Sequence, residues 1–215
     1  MKYYPVFLDL NGRKAVIVGG GKVAERKVLA LLNAGADITV ISPSLTGRLL
    51  KERSHKTIRH IARGFEQNDL KGAFLVIAAT DSSEINREVA RKAPGLVNVV
   101  DVPPECNFIA PSVITRGDLT IAVSTGGVSP ALAKAVRREL EKIYGPEVSA
   151  YLKFLKGMRA KALAEISHKG TRANFLKSLA SENILKTLRS KGFNEQRKTV
   201  LTRFHQLKRN SKATV

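Results

Sequence analysis

The sequence predicts an α/β protein whose first half is a doubly wound parallel sheet and whose end is helical. Three observations predict it. Short β-branched runs alternate with segments of helical period through residue 100. A cluster of three glycines, Gly19 to Gly21, separates the first such run from the first helix. After Asp101 the pattern changes to a hairpin and then to helices alone.

The elements follow in order. Lys14–Val18 (KAVIV) is a first strand, apolar and β-branched. Val23 to Leu32 places Val23, Lys27, Val28, Leu31 and Leu32 at helical spacing, and Gly35 follows as a C′ residue. Ile38–Ile41 is a second strand, broken by Ser42-Pro43-Ser44, and a polar helix then runs to about Ser54. Thr57–Ile61 is a weaker third strand and Ala73–Ala79 a strong fourth. Ser82 is placed to cap a helix through Lys92 with Ile85, Val89 and Ala90 inward. Leu96–Val100 is a fifth strand. Runs this continuously apolar suit strands covered on both faces, which do not alternate. Beyond Pro103-Pro104, Ser112–Thr115 and Leu119–Ser124 flank a turn at Arg116-Gly117-Asp118. Ser129-Pro130 opens a helix ending near Tyr144, before Gly145-Pro146. The rest reads as helix, with Leu152, Leu155 and Met158 on one face and an unstructured end over Asn210–Val215.

Composition narrows the function classes. The 215 residues carry a formal charge of +19. Residues 151–215 hold 16 Lys and Arg against 3 Asp and Glu, so the tail is the most basic part. Such a field attracts polyanions: nucleic acid, acidic lipid, or a small ligand with many carboxylates. The tail lacks a helix-turn-helix or RNP signature and has few stacking aromatics. Cys106 is the single cysteine, so there is no internal disulfide and no cysteine-based metal cage. The N-terminus shows no long apolar segment of a signal peptide, and a cytoplasmic protein with no membrane span is expected. His55, His60, His168 and His205 have no metal-pair spacing and read as surface residues, and no metal is expected; Glu105-Cys106 is a weak metal pair at best.

Gly19-Gly20-Gly21-Lys22-Val23-Ala24 matches G-x-G-x-x-A between a strand and a helix, the pattern that holds a dinucleotide pyrophosphate. Gly19 serves the tight turn, Gly21 the approach of the pyrophosphate to the backbone, and Ala24 the packing of helix on sheet. The acidic residue expected at the end of the second strand, to hold ribose hydroxyls, is missing; Ser42, Ser44 and Arg48 stand nearby instead. Thr80 and Asp81 end the fourth strand, and Asn98 and Asp101 end the fifth, where open parallel sheets bind ligands. Asp81 reads as a helix cap. Asp101 reads equally as a proton acceptor beside a nicotinamide and as a turn residue before proline. Ser124-Thr125-Gly126-Gly127-Val128-Ser129-Pro130 is a second glycine loop, whose N–H groups either bind a substrate carboxylate or merely shape the loop.

Taken together, VIVGGGKVAERK, AATD, NVVDVP, FIAPS and AVSTGGVSP, in this order, resemble the precorrin-2 dehydrogenase module of the siroheme synthase family over residues 1 to about 145. The resemblance implies a Rossmann-like NAD-binding domain over 1–112, a dimerisation region over 113–145 and a C-terminal helical domain over 146–215. It implies a homodimer that oxidises precorrin-2 to sirohydrochlorin with NAD. Asp101 would be the catalytic carboxylate. Gly19, Gly21, Lys22, Val23, Pro43, Ser44 and Thr80 would bind the cofactor, and Asn98, Ser124 and Thr125 the tetrapyrrole. The basic surface, with Lys134, Arg137 and Arg138 near the second loop, would steer a polycarboxylate, more so than Lys208 and Arg209 in the tail. Three alternatives stay open: a bifunctional dehydrogenase and ferrochelatase, a dinucleotide-sensing nucleic-acid-binding protein, and a non-catalytic NAD-binding scaffold.

Overall fold

A computed structural model describes residues 3–212 and divides the chain into two compact units that meet at Ala110–Pro111. The first is a five-stranded parallel sheet with helices on both faces. In chain order it contains β1 (Lys14–Val18), α1 (Lys22–Asn33), β2 (Asp37–Ile41), α2 (Gly47–Ser54), β3 (Ile58–Ile61), β4 (Leu75–Ala78), α3 (Ser83–Lys92) and β5 (Leu96–Val99). The strand order β3-β2-β1-β4-β5 reverses direction of growth at β1 and β4, which is the switch point of a Rossmann-like sheet.

Pleating splits the strand residues between two cores. Ala15, Ile17, Ile38 and Val40 face one, with Val28 and Leu31 of α1 and Leu49 of α2. Val16, Val18, Ile41, Val76 and Ala78 face the other, with Val89 of α3. A fully buried Ile or Val contributes roughly 1.5–3 kcal/mol relative to exposure, so the two-sided pattern is what holds the unit together. β3 at the edge is buried only at Ile58 and carries Arg59 and His60 at its middle, which explains its weak signal in the sequence.

The helix ends obey local chemistry. Gly35 takes φ +78° and donates to Leu32 O at 2.9 Å, as a C′ glycine does. Ser82 accepts from Ile85 N at 3.3 Å and is the cap of α3, so Asp81, read from sequence as a cap, is not one. The hydroxyl of Ser82 sits one residue closer to the helix and takes the N–H that Asp81 would have had.

The second unit begins with the hairpin β6 (Ser112–Arg116) and β7 (Leu119–Val123), turned by Gly117 at φ +61°. Then come α4 (Pro130–Ile143), α5 (Glu147–Glu165), α6 (Lys169–Ser178) and α7 (Glu182–Lys212), the last broken at Gly192. Their core gathers Met158, Ala162, Ile166, Phe175, Leu179, Val200 and Phe204. On α5 the buried stripe runs through Val148, Tyr151, Met158 and Ala162, so Tyr151 takes the inward place expected for Leu152. The Tyr151 hydroxyl donates to Leu179 O at 2.8 Å, which satisfies its polar end, and burial pushes its phenol up to about 12. Lys208 is no loose tail charge, since its ammonium lies 2.6 Å from Glu165. Helix continues through Lys212, past the expected start of the unstructured end at Asn210; residues 213–215 of that expectation lie outside the described residues. No helix among the described residues is long and apolar enough to cross a membrane.

Candidate active site

The glycine loop between β1 and α1 lies at the carboxyl edge of the sheet and is tied on both sides. Gly19 N donates to Ile41 O at 2.8 Å, Ala79 N to Val18 O at 2.8 Å, and Thr46 N to Gly20 O at 3.1 Å. Gly19 takes φ +120°, and a Cβ there would sit 2.2 Å from Ala79 O. A Cβ on Gly20 would sit 2.0 Å from Ser44 O. Gly20, the unassigned middle position of the motif, is thus demanded by the neighbouring loop. Gly21 differs: a Cβ there would meet nothing within 4 Å. Gly21 is also the N-cap of α1 and no side chain caps that helix, so its first-turn N–H groups have no side-chain acceptor. An uncapped helix start beneath an open glycine is a cradle for a phosphate. The residues present fit the pyrophosphate of a dinucleotide.

Beside this cradle runs the loop from β2 to α2. Ser42 is buried and donates to Ser44 O at 2.7 Å, leaving Pro43 and Ser44 exposed. A carboxylate from α1 lies against this loop. Glu25, in the first turn of α1, accepts a short hydrogen bond from the Thr46 hydroxyl and lies 3.4 Å from the Lys22 ammonium. The Thr46 hydrogen bond, helped by Lys22, holds the Glu25 carboxyl below the usual carboxylate range. Sequence reasoning missed Glu25 because its partner is 21 residues away; its one signal was an acid in a first helical turn.

Thr80, after β4, spends its hydroxyl locally. It donates toward Asn86 Oδ1 at 2.8 Å and Ser82 O at 3.1 Å, and accepts from Ser82 N at 3.2 Å. Asn86 is buried and returns a bond to Thr80 O at 3.0 Å. This unpredicted asparagine holds the segment whose Ala79 carbonyl touches Gly19.

Asp101 projects from the end of β5, exposed, at φ +61°. A left-handed aspartate is uncommon and costs about 1 kcal/mol. Asn98, two residues into β5, is buried: its amide donates to Phe108 O at 3.1 Å and reaches Cys106 Sγ at 3.5 Å. Asn107 accepts from Val97 N at 2.7 Å and donates to Gly95 O at 2.9 Å. Lys27 of α1 is partly buried, and its ammonium interacts with Asp101 and Cys106; burial lowers its pKa and those two groups oppose the shift.

In the second unit, the loop of Ser124–Ser129 leads into α4. Gly126 and Gly127 take φ +64° and +90°, and a Cβ on either would meet nothing within 4 Å. Its amides are largely used inside the loop. Gly126 N donates to Ser124 Oγ at 3.1 Å, Val128 N to Thr125 O at 3.1 Å, and Ser129 N to Thr125 Oγ1 at 3.0 Å. Thr125 also donates to Ser129 O at 3.0 Å, so its hydroxyl is fully engaged, whereas Ser124 keeps its proton to give. Of the basic residues on α4, Arg137 is paired with Glu141, and Lys134 and Arg138 are exposed.

Comparison with known proteins fits this geometry. A family described as NAD(P)-binding matches residues 6–112, and one described as the central part of a sirohaem biosynthesis protein matches residues 116–143. The siroheme synthase of Methylobacillus flagellatus is 47% identical over 146 residues, 66% of this chain and 31% of its own length. Siroheme synthase 1 of Aeromonas salmonicida is 41% identical over 188 residues, 86% of this chain and 40% of its own. The chain therefore spans 31% to 40% of the length of these two relatives. A solved structure of SirC, a precorrin-2 dehydrogenase, matches with a TM-score of 0.77 and 28% identity, covering 92% of this chain and 100% of that one. With two adjoining matches across residues 6–143 and relatives of this similarity, the chain belongs to the siroheme synthase family, whose NAD(P)-binding and central parts it carries.

Proposed function

We propose that the protein is an NAD⁺-dependent dehydrogenase that converts precorrin-2 to sirohydrochlorin in siroheme biosynthesis. The observation that carries this reading is the match to SirC along the whole of that chain, with a dinucleotide cradle at the switch point of the sheet. The cofactor, once bound, supplies the hydride acceptor. The chain supplies the rest. The first turn of α1 and Gly21 hold the pyrophosphate, with Gly19 shaping the loop and Lys22 and Val23 alongside. Pro43 and Ser44 flank the adenosine end, and Thr80 shapes the wall of the pocket. Asp101 accepts the proton that leaves the macrocycle as the hydride departs, so two hydrogens are lost and one is released as a proton. Asn98 orders the end of β5 from beneath, and Ser124 donates to a substrate carboxylate while Thr125 shapes its loop.

Glu25 favours NAD⁺ over NADP⁺ in this reading, because a carboxylate held at the β2–α2 loop repels a 2′-phosphate. Exposed Val113, Val128, Leu132 and Ile143, all within 113–145, support a homodimer formed by that region, with 146–215 as a separate helical part. Sedimentation of the full chain, alone and with Leu132→Asp, tests the dimer. The strongly basic composition suits a cytoplasmic enzyme whose substrate is a polycarboxylate.

The deciding experiment mixes the full-length protein with precorrin-2 and NAD⁺ and follows absorbance. Wild type is expected to produce sirohydrochlorin, and Asp101→Asn to bind NAD⁺ normally while losing about 10²–10⁴-fold in kcat. Near-normal turnover by Asp101→Asn would reduce Asp101 to a turn residue. The same assay with NADP⁺, for wild type and Glu25→Gln, tests the cofactor choice. Run at rising salt it tests the charge: KM for precorrin-2 climbs while NAD⁺ affinity changes less, since the Debye length shrinks from about 10 Å at 0.1 M to about 3 Å at 1 M.

A further inference from the structure

The turn that presents Asp101 closes around one sulfur atom. Cys106 Sγ accepts from Val99 N at 3.1 Å and from Asn98 Nδ2 at 3.5 Å. Its own hydrogen lies between Val99 O at 3.2 Å and Val102 O at 3.4 Å. Val99 is the last residue of β5 and Val102 is the first after Asp101. The sulfur therefore spans both feet of the excursion on which Asp101 stands. Backbone bonds hold the surroundings of the excursion, with Val100 N on Ala78 O at 3.0 Å, Glu105 N on Val102 O at 3.1 Å, Cys106 N on Pro103 O at 3.2 Å and Asn107 N on Val97 O at 3.1 Å, but between Val99 and Val102 the backbone closes only through Val102 N and Val99 O, at 3.4 Å.

Something must hold this turn, because Asp101 sits at φ +61° and would relax toward a commoner conformation if its ends were free. Two proline residues follow at once, Pro103 and Pro104, and neither has an N–H to give. The thiol is large and polarisable, so one atom meets partners at the longer distances that sulfur tolerates. A serine oxygen, on a shorter bond, cannot reach Val99 and Val102 together. The adjacent Glu105 turns away toward Arg87, at 3.9 Å, and does not share this task.

We propose that Cys106 is a positioning residue for Asp101: its thiol clamps the turn from Val99 to Val102 and so fixes the direction in which the carboxylate is presented. The inference rests on the dehydrogenase reading for its effect on rate, but the clamp itself is a property of the chain.

The test uses the full-length protein as wild type, Cys106→Ala, Cys106→Ser, Asp101→Asn and the double variant Cys106→Ala/Asp101→Asn. Cys106→Ala is expected to lower kcat about tenfold, equivalent to about 1.4 kcal/mol, with NAD⁺ affinity unchanged. Cys106→Ser recovers part of the loss. In the Asp101→Asn background, Cys106→Ala costs less than about twofold, because a residue acting through Asp101 has nothing left to act through. Equal losses in both backgrounds would mean a general weakening of the fold and would overturn the proposal, as would an unaltered kcat. Hydrogen exchange separates this from the enzyme reading. Amides of residues 99–106 should lose protection in Cys106→Ala while those of β1 and β2 keep theirs, whether or not the protein turns over precorrin-2. Unchanged exchange at 99–106 refutes the clamp. An inactive wild type with the expected exchange pattern refutes the dehydrogenase reading and leaves the clamp standing.

Discussion

The two glycine loops look alike in the sequence and do opposite work in the structure. Each follows a strand and feeds a helix. In the first, Gly19 and Gly20 are required because carbonyls of Ala79 and Ser44 stand where a Cβ would go. In the second, Gly126 and Gly127 have open surroundings and are required only for their left-handed angles. The helix starts differ as well. α1 has no side-chain cap, whereas α4 is capped by Ser129, which accepts from Leu132 N at 3.2 Å. The first loop is rigid in its walls and open in its hydrogen bonding, and the second is free in its walls and closed in its hydrogen bonding. A glycine pair before a helix therefore does not by itself announce an anion site. What announces one is donors left over after the loop has satisfied itself.

This contrast can be broken by mutation. The largest effect is expected from Gly20→Ala, which forces the β2–α2 loop away from the sheet. It should destabilise the first unit by about 3 kcal/mol or more, read as a lowered urea midpoint with loss of NAD⁺ binding. Next comes Gly21→Asp, which has room for its side chain and so keeps the fold. Its carboxylate occupies the phosphate position, and NAD⁺ affinity should drop about a hundredfold or more, near 2.7 kcal/mol. Normal affinity in the folded variant would remove the dinucleotide assignment. Gly126→Ala and Gly127→Ala should each cost about 1–2 kcal/mol, the strain of a left-handed alanine, with NAD⁺ binding untouched. Should either prove as damaging as Gly20→Ala, the second loop is packed after all.

The smallest effect is a pH dependence confined to the first loop. Its carboxylate, Glu25, has a folded-state pKa below the usual value of 4.5. A depressed carboxylate stabilises the fold above that usual value and loses its contribution as pH falls through the folded one. Protection of the Thr46 and Leu49 amides, measured against their intrinsic exchange at each pH, should therefore fall in acid below about pH 4.5 while that of Gly126 and Ser129 shows no such step. An acid step at Gly126 of the same size would show that the loops do not differ in this respect.

How much of this was legible beforehand depended on the distance over which each residue is constrained. Val16, Ile17, Ile38 and Val76 announce strands because their own β-branching and burial decide the matter. Gly35, Ser82 and Ser129 announce helix ends because a cap acts within three residues. Asp101 could be placed at a strand end, since the strand before it was clear. Gly20 could not be given its role, because its constraint is the carbonyl of Ser44 on a different loop. Glu25, Asn86 and Cys106 were missed or misjudged for the same reason: each is defined by partners that only the folded sheet brings near. Spacing leaves the second loop open between ligand binding and self-closure, because the choice depends on hydroxyl orientations that spacing does not encode. Leu152 was read as inward because three leucine-like residues at helical spacing suggested a face, but Tyr151 buries more and finds Leu179 O for its hydroxyl.

The run of residues 106–108 beside β5 has a consequence of another kind. By giving and taking bonds with Gly95 and Val97, Asn107 does for β5 what a sixth strand would do. An open strand edge is a template on which other chains can align, and crowded proteins aggregate by that route. Here one edge of the sheet is already satisfied by the chain itself. The other, β3, is only four residues long and carries Arg59 and His60. The parallel sheet is thereby left with little exposed backbone for copies of the chain to grow on.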